Sequence, residues 1–189
     1  GAERDVILGG LDIVRNAVKD IKIIFHLGAQ SSVLNSQEDI DYCLSTNVNG
    51  TYNLLKVAQE ETVERVIFTS SREVYGDVEN LPVNEDAPYN GNNVYGFSKI
   101  IGELYCNMFT KIHNLPVIIL RLSNVFGIGD KNRVIPIFLE RAFNNEPIEI
   151  FGGRQIIDFI HIDTVVDGLF RSISYPVIGK TINIGSGVG

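Results

Sequence analysis

Three apolar runs at regular intervals constrain the fold of this chain more than any other feature. They lie at residues 22–29, 64–71 and 115–124 and lack the polar alternation of a strand that faces water. Continuous apolar runs are typical of strands buried on both faces of a parallel sheet. The segments between them, 38–60 and 93–114, carry apolar residues at helical spacing. This alternation of strand and helix predicts the α/β class with a parallel sheet.

The sequence after residue 124 changes in character. A loop rich in glycine and charge precedes a predicted short helix at 134–145 and a predicted short strand at 147–153. A further helix is predicted after Asp163, and a strand-and-turn pattern at 181–185 indicates a return to the sheet. These smaller elements are expected to pack at the carboxyl edge of the sheet.

Composition and charge exclude several classes of protein. The 189 residues carry a formal net charge of −7 with no basic stretch, so nucleic acid is not an expected partner. No apolar run reaches membrane-spanning length and no signal peptide is visible, which predicts a cytoplasmic protein without membrane contact. Cys43 and Cys106 lack metal or CxxC spacing and are interpreted as reduced, buried thiols. No metal site is predicted.

Two tyrosine–lysine pairs share a spacing of four residues, Tyr52 with Lys56 and Tyr95 with Lys99. Tyr52 lies deep inside the predicted helix 38–60, about 20 Å from its start. Tyr95 lies in the first turn of its helix, beside the carboxyl edge of the sheet, where ligands bind in such folds. The Tyr52 pair is therefore expected to serve packing and solvation.

The Tyr95 pair is expected to converge with a serine. Ser70 and Ser71 end the preceding strand, and both hydroxyls are predicted to emerge at the same edge as Tyr95. A free tyrosine has a pKa near 10, and the nearby Lys99 cation is expected to lower it. With Ser71 bonded to the same substrate oxygen, Tyr95 can take a proton from a carbinol while hydride leaves the carbon. Hydride needs an acceptor, which implies a nicotinamide cofactor.

The neighbourhood of this pair resembles a known family. "TSSREVYG" followed by "VYGFSK", with Tyr95 24 residues after Ser71, is similar to the extended short-chain dehydrogenases/reductases of the NAD-dependent epimerase/dehydratase family. "FHLGAQSSV", "STNVNGTYNLL", "RLSNVFG", "DFIHIDTVVDGL" and "TINIG" resemble further landmarks of the family, in the same order. The resemblance runs from Asp5 to Gly185 and implies a Rossmann-type sheet.

The resemblance implies a set of contacts with NAD. Asp5 and Val6 correspond to the acidic–aliphatic pair beside the adenine, and Lys99 would hold the nicotinamide ribose as well as tune Tyr95. The small residues after the first strand let the backbone approach the pyrophosphate. The complete implied set is Asp5, Val6, Leu27, Gly28, Ala29, Thr46, Ser70, Tyr95 and Lys99.

The resemblance also implies a set of contacts with a nucleotide-sugar substrate. Asn124 would meet the substrate and Asn183 its diphosphate. Where the family commonly carries an arginine in Q-x-R-D-F, this chain has Ile157, and Arg154 is the nearby candidate to replace it. The complete implied set is Ser71, Glu73, Asn124, Arg154 and Asn183.

The family's phosphate-binding fingerprint, G-x-x-G-x-x-G, is absent. The resemblance implies that about 50 residues of the family pattern are missing ahead of Asp5. The chain is therefore interpreted as a partial NAD-binding Rossmann domain at 1–124, followed by a mostly substrate-binding region at 125–189. By itself it is expected to bind NAD weakly and to be inactive.

The expected activity is that of an NAD-dependent UDP-glucose/UDP-galactose 4-epimerase, which works by transient oxidation at C4. UDP-glucuronate decarboxylase and sugar 4,6-dehydratase are close alternatives, and a non-catalytic binding protein is a third. The dehydratases carry an aspartic acid where this chain has Arg72, and a guanidinium does not give up a proton near neutral pH. Helices 38–60 and 94–112 resemble the pair through which the family forms homodimers.

Overall fold

The computed structural model describes residues 10–78, 80–131, 133–150, 152–153, 155–174 and 176–188. Its strands are β1 (Ile23–His26), β2 (Arg65–Ser71), β3 (Val117–Leu122), β4 (Asn124–Phe126), β5 (Phe159–His161) and β6 (Thr181–Ile184). β1, β2, β3 and β6 form a parallel sheet in that order. The predicted α/β class, the parallel sheet and the late return to it are confirmed. Asp5, Val6 and Arg154 lie outside the described residues.

The helices follow the predicted alternation. They are α1 (Gly10–Val18), α2 (Val33–Glu38), α3 (Ile40–Leu44), α4 (Gly50–Glu60), α5 (Val94–His113), α6 (Val134–Phe143) and α7 (Ile162–Ser174). The predicted helix 38–60 instead begins at Ile40, because Asp39 leaves the helical conformation and its side chain accepts from Tyr42 N. A π-helical turn, Ser45–Asn49, joins α3 to α4.

β2 and β3 are covered on both faces of the sheet, as their continuous apolar runs predicted. β1 is only partly buried, with Phe25 exposed, because it lies at the edge of the described sheet. β2 is buried from Val66 to Ser71. On one face Phe68 packs with Leu55 of α4 and Phe109 of α5. On the other face Ile67 belongs to a cluster that is completed by α7 and β5. Burial of this kind is worth about 1.5–3 kcal/mol for each large apolar side chain.

The smaller elements beyond β3 differ from the prediction in two places. β3 ends at Leu122, and Asn124 begins β4, which pairs with β5 in a separate two-stranded sheet. The predicted strand at 147–153 is wrong, because its described residues form no strand. Ile148 and Ile150 alternate as a strand would, but both are exposed and lie beside no strand within the described residues.

No helix in the described part of the chain has the length and apolar character needed to cross a membrane.

Candidate active site

The first turn of α5 is pressed against the end of β2. Asn93 caps the helix by accepting a hydrogen bond from Gly96 N at 2.8 Å. A Cβ atom at Gly96 would lie 2.7 Å from the carbonyl oxygen of Glu73, in the 3-10 turn that follows β2. Glycine at this position therefore permits the close approach that brings Tyr95 to Ser71.

Ser71, Tyr95 and Lys99 converge as predicted. Ser71 Oγ accepts a hydrogen bond from Glu73 N at 3.2 Å, and the Ser71 side chain lies close enough to Tyr95 to act on the pKa of the phenol. Lys99 lies one turn further along α5, and its Nζ is 5.8 Å from the centre of the Tyr95 ring. The ammonium is buried and donates to the carbonyl oxygen of Thr69 in β2 at 2.9 Å. A serine, a phenol and a buried amine therefore lie together at the carboxyl edge of the sheet.

The expected lowering of the Tyr95 pKa is not present in this structure. Burial is the main cause that raises the pKa of Tyr95 to about 12, against a smaller lowering by the Ser71 hydrogen bond. Burial also lowers the pKa of Lys99 to about 8, because the ammonium is the charged form. The amine is directed to Thr69, so burial outweighs the attraction that the sequence argument relied on.

The other tyrosine–lysine pair lies elsewhere on the fold. Tyr52 packs in α4 against the rings of Tyr105 and Phe109, at centroid distances of 5.5 and 6.1 Å. This aromatic contact agrees with the packing role expected of Tyr52.

Asn47, in the π-helical turn, is a site residue that the sequence analysis missed. Its amide pairs with both backbone groups of Gln30, at 2.8 and 3.0 Å, and donates to Ser98 Oγ at 2.9 Å. Ser98 in turn donates to the carbonyl oxygen of Tyr95 at 2.7 Å. Asn47 thus fixes the loop after β1 against the first turn of α5. A polar residue on the apolar side of the predicted helix was the available signal.

The residues predicted to contact a cofactor border this same loop. Leu27 is exposed, and Gly28 and Ala29 are half-buried directly after β1. Thr46 is buried, and its hydroxyl has no hydrogen-bond partner within the described residues. A buried hydroxyl without a partner is costly unless a ligand satisfies it. This set of residues therefore fits a polar ligand such as NAD.

Ser70 does not present its hydroxyl at the edge, which corrects the prediction made for it. It is buried and donates to Oε1 of Glu103 in α5, on the interior side of β2. Successive side chains of a strand point to opposite faces, so Ser70 and Ser71 cannot both face the site. The side chain of Ser70 is therefore bound within the protein.

Glu73 and Arg72 form an ion pair beside Tyr95. Arg72 Nη2 lies 2.9 Å from Glu73 Oε1, and Asn93 donates to Glu73 Oε2 at 2.7 Å. The Glu73 carboxylate contributes to raising the pKa of Tyr95, after the larger effects of burial and Ser71. Arg72 Nε is buried and has no partner within the described residues. The acidic group nearest the phenol is thus neutralised by Arg72.

A cavity of about 750 Å³ opens next to this pair, at the carboxyl ends of β2, β3 and β6. The loop around Pro82 supplies an apolar wall, and the polar lining is Arg72, Tyr75, Asp77, Arg121, Ser123, Gln155, Asp158 and Asn183. A cavity of this size suits a small organic ligand.

The described residues predicted to bind substrate already make hydrogen bonds within the protein. Asn183 accepts from the Tyr75 hydroxyl at 2.6 Å and donates to the Val83 carbonyl oxygen at 3.0 Å. Asn124 is half-buried and its backbone N donates to the Asp158 carbonyl oxygen at 3.1 Å. The Asn183 side chain is thus already bonded within the protein, as is the Glu73 carboxylate, which Arg72 and Asn93 contact.

Asp158 is a cavity residue that the sequence analysis did not assign. Its carboxylate accepts from the backbone N of Ser186 and of Gly187, each at 3.0 Å, and from Ser186 Oγ at 2.6 Å. Burial raises its pKa, but these hydrogen bonds outweigh that effect and lower the pKa of Asp158 below its ordinary value. Asp158 therefore holds the turn after β6 against the cavity. Among the described residues there is no cluster of His, Cys, Asp and Glu that could hold a metal ion.

Known proteins share both the sequence and the fold. Residues 5–185 match the sequence model of the NAD dependent epimerase/dehydratase family. A putative UDP-glucose 4-epimerase from Methanocaldococcus jannaschii is 34% identical over 175 residues, which cover 89% of this chain and 57% of that protein.

Two solved structures are similar along nearly the whole chain. A dTDP-glucose 4,6-dehydratase from Streptomyces venezuelae, crystallised with NAD, gives a TM-score of 0.89 at 25% identity over 97% of this chain and 57% of that one. A UDP-glucose 4-epimerase from Thermotoga maritima, crystallised with UDP-glucose, gives 0.88 at 28% identity over 95% of this chain and 61% of that one. The chain thus spans a little over half the length of these proteins.

Proposed function

Because the chain belongs to the NAD-dependent epimerase/dehydratase family, we propose that the complete protein is a UDP-glucose/UDP-galactose 4-epimerase. The observation that carries this proposal is the convergence of Ser71, Tyr95 and Lys99 at the sheet edge, with Arg72 at the position of the dehydratases' aspartic acid and in an ion pair with Glu73. The two other family reactions that we considered need an additional acidic group. Beyond an NAD that accepts and returns the hydride, epimerisation needs only the proton acceptor, its hydrogen-bonding serine and room for the sugar to turn.

The cofactor in this proposal is NAD. Thr46, Leu27, Gly28, Ala29 and Lys99 would hold it, together with Asp5 and Val6 at the adenine and Tyr95 beside the nicotinamide. NAD, when bound, supplies a hydride acceptor and returns the hydride at the end of each cycle.

Tyr95 would take the proton of the C4 hydroxyl, and Ser71 would donate a hydrogen bond to the same oxygen. With a pKa of about 12, Tyr95 holds its proton at neutral pH in the described structure. Positive charge brought beside the phenol lowers that pKa, so the base forms only in the assembled site. Lys99 uses one of its three N–H groups on Thr69, which leaves donors for a ligand and for Tyr95.

The substrate in this proposal is a UDP-hexose in the cavity of about 750 Å³. Asn183 lines this cavity and would meet the diphosphate together with Arg154. Asn124 and Glu73 would meet the sugar at its reacting end. The free, buried thiols of Cys43 and Cys106 support a cytoplasmic location, where thiols stay reduced.

UDP-glucuronate decarboxylation is the second candidate, and Glu73 is the observation that favours it. Its carboxylate lies close enough to Tyr95 to affect the phenol's pKa. The ion pair with Arg72 counts against an acid role, because it favours the ionised carboxylate. Sugar 4,6-dehydration is disfavoured because Arg72 replaces the required acid. A non-catalytic binding role would not explain why Ser71, Tyr95 and Lys99 lie together.

Product analysis by NMR on the full-length protein tests the proposal. With UDP-glucose and NAD, we expect UDP-galactose to form, and Glu73→Gln to slow this by less than about tenfold because the carboxylate is not the proton acceptor. UDP-xylose from UDP-glucuronate, without exchange between the hexoses, would make the protein a decarboxylase. Binding of both ligands without turnover would favour the non-catalytic role.

The proposed homodimer pairs α4 and α5 of two copies. The outer faces of these helices expose Tyr52, Phe97, Leu104 and Ile112, at 39 to 68%. Leu104→Lys is expected to convert a dimer to monomers in sedimentation experiments. Leu139→Lys, at a similarly exposed leucine of α6, is the matched control and should leave the dimer intact.

A further inference from the structure

We propose that Glu103 and Arg121 are positioning residues that lock α5, which carries Tyr95 and Lys99, onto β2, which carries Ser71. This inference rests on the proposed function for its kinetic consequence, but its structural part can be tested separately. Glu103 does not line the cavity. Arg121 borders it at 4% exposure, but its guanidinium is already bonded to Glu103, Tyr75 and Glu85, so each residue would act through others.

Glu103 and Arg121 form a fully buried ion pair between α5 and β3. Arg121 donates from Nε to Glu103 Oε1 at 2.9 Å and from Nη2 to Oε2 at 2.7 Å. The two residues are 0 and 4% exposed. The guanidinium carbon lies 4.7 Å from the centre of the Tyr75 ring and 5.3 Å from that of the Tyr89 ring. Such a two-point contact fixes orientation as well as distance.

The carboxylate of Glu103 reaches the two segments that carry the reacting groups. Tyr95, Lys99 and Glu103 follow one another at intervals of four residues, so they lie along one side of α5. Glu103 accepts a hydrogen bond from Ser70, the residue immediately before Ser71. The contact is close here, since a Cβ atom at Gly102 would lie 2.6 Å from the Phe68 ring. Glu103 therefore sets how far along β2 the helix sits.

The guanidinium of Arg121 extends the same network to the cavity. Its Nη1 donates to the Tyr75 hydroxyl at 2.8 Å and to the Glu85 carbonyl oxygen at 2.9 Å. Tyr75 donates to Asn183 in the cavity wall, and the Glu85 carboxylate accepts from Asn183 N. One network thus joins the serine–tyrosine edge, the loop before α5 and the cavity.

Stability alone does not account for this arrangement. Removing two charges from water costs several kcal/mol each, and apolar replacements for a buried ion pair are often neutral or stabilising. The hydroxyls of Ser70 and Tyr89 donate to Glu103, and that of Tyr75 accepts from Arg121. An apolar pair would fill the space but could not make these bonds. What the ion pair adds is the fixed relation between the elements around the site, and small misplacements of reacting groups slow catalysis strongly.

The double variant Glu103→Leu/Arg121→Met in the full-length protein separates positioning from folding. We expect this variant to fold, with a urea unfolding midpoint moderately below that of the parent, because Ser70, Tyr75 and Tyr89 each lose a hydrogen-bond partner. Turnover of UDP-glucose should fall by about 10- to 100-fold, with KM changed by less than about threefold. Amide hydrogen exchange at residues 94–99 should become about tenfold faster, because the start of α5 is released.

The matched control replaces the exposed pair Arg15 and Glu60 by Met and Gln, and should change neither turnover nor exchange. A double variant that folds with the parent's turnover and the parent's exchange at 94–99 overturns the proposal. If the double variant does not fold, Ser70→Ala decides. It removes only the link to Glu103 and should lower turnover by about three- to tenfold, with a loss of stability of about 1 to 3 kcal/mol that leaves the protein folded. Unchanged turnover in Ser70→Ala overturns the proposal.

Failure of the proposed function gives a different result. A parent protein without turnover of any UDP-hexose contradicts the epimerase assignment. Amide hydrogen exchange at residues 94–99, compared between the double variant and the parent, then tests the positioning role, because it does not depend on the substrate.

Discussion

The parallel sheet with its helices differs from residues 125–161, here called the smaller region, in how it buries apolar side chains. β2 is buried from Val66 to Ser71, whereas α6 has no buried residue within the described chain. Leu139 and Phe143 of α6 are 58 and 88% exposed. The sheet with α4, α5 and α7 thus has its own core, while the smaller region contributes a cavity wall but little packing. We infer that the reacting residues are fixed by the sheet, and that the smaller region shapes what can bind.

The strongest test of this contrast is Tyr95→Phe in the full-length protein. If the sheet part carries the chemistry, turnover should fall by about 10³-fold, since the proton acceptor is lost. NAD should remain bound, because the ring is retained. Steady-state assays with UDP-glucose measure the first effect, and calorimetry measures the second. Tyr52→Phe is the matched control and should be mild; equal losses at both positions would place the base elsewhere.

The contrast in packing predicts unequal effects of two phenylalanine truncations. Phe68→Ala removes a fully buried ring between β2 and α5 and should lower the free energy of unfolding by about 4 kcal/mol. Phe143→Ala, in α6, should change it by less than about 0.5 kcal/mol. Urea unfolding of the two variants compares them directly. A large loss at Phe143 would show that the smaller region is packed after all.

A third, smaller difference concerns pH. His26 is buried against Thr51, at 2.9 Å, and burial lowers its pKa from 6.5 to about 3. The unfolded chain then binds more protons than the folded one between these values, so stability falls as pH drops below 6.5. This loss should reach about 2 kcal/mol at pH 5.

Urea unfolding from pH 7 to pH 5 measures that loss, which His26→Gln should largely remove. His161→Gln, in the smaller region and half-exposed, should leave most of it. Parallel profiles for the parent and His26→Gln would contradict the account of His26.

Comparing sequence and structure shows which features local patterns can predict. The spacing of apolar residues predicted the strands and the helices α4 and α5. A strand inside a parallel sheet carries a continuous apolar run, which is visible in the sequence. The strand expected at 147–153 failed because alternation of Ile148 and Ile150 does not supply a neighbouring strand. The sequence could not reveal the hydrogen bond from Asn47 to Ser98, because that bond joins segments that are distant in sequence.

The predictions for two neighbouring serines show the same limit at the site. Ser71 faces Tyr95, but Ser70 faces Glu103, which strand alternation would have indicated. The raised pKa of Tyr95 followed from burial, which spacing does not report. The sequence therefore predicted which residue types meet at the site, but it did not predict the direction of the pKa shift of Tyr95.

Native mass spectrometry of the full-length protein, purified without added ligands, tests the central claim most directly. The account predicts one NAD per subunit and, in a fraction of molecules, a UDP-hexose that is released on denaturation. NAD should be retained in Tyr95→Phe. A protein that carries no NAD, or whose bound nucleotide sugar is a UDP-pentose or a dTDP-sugar, would contradict the assignment as an NAD-dependent UDP-hexose epimerase.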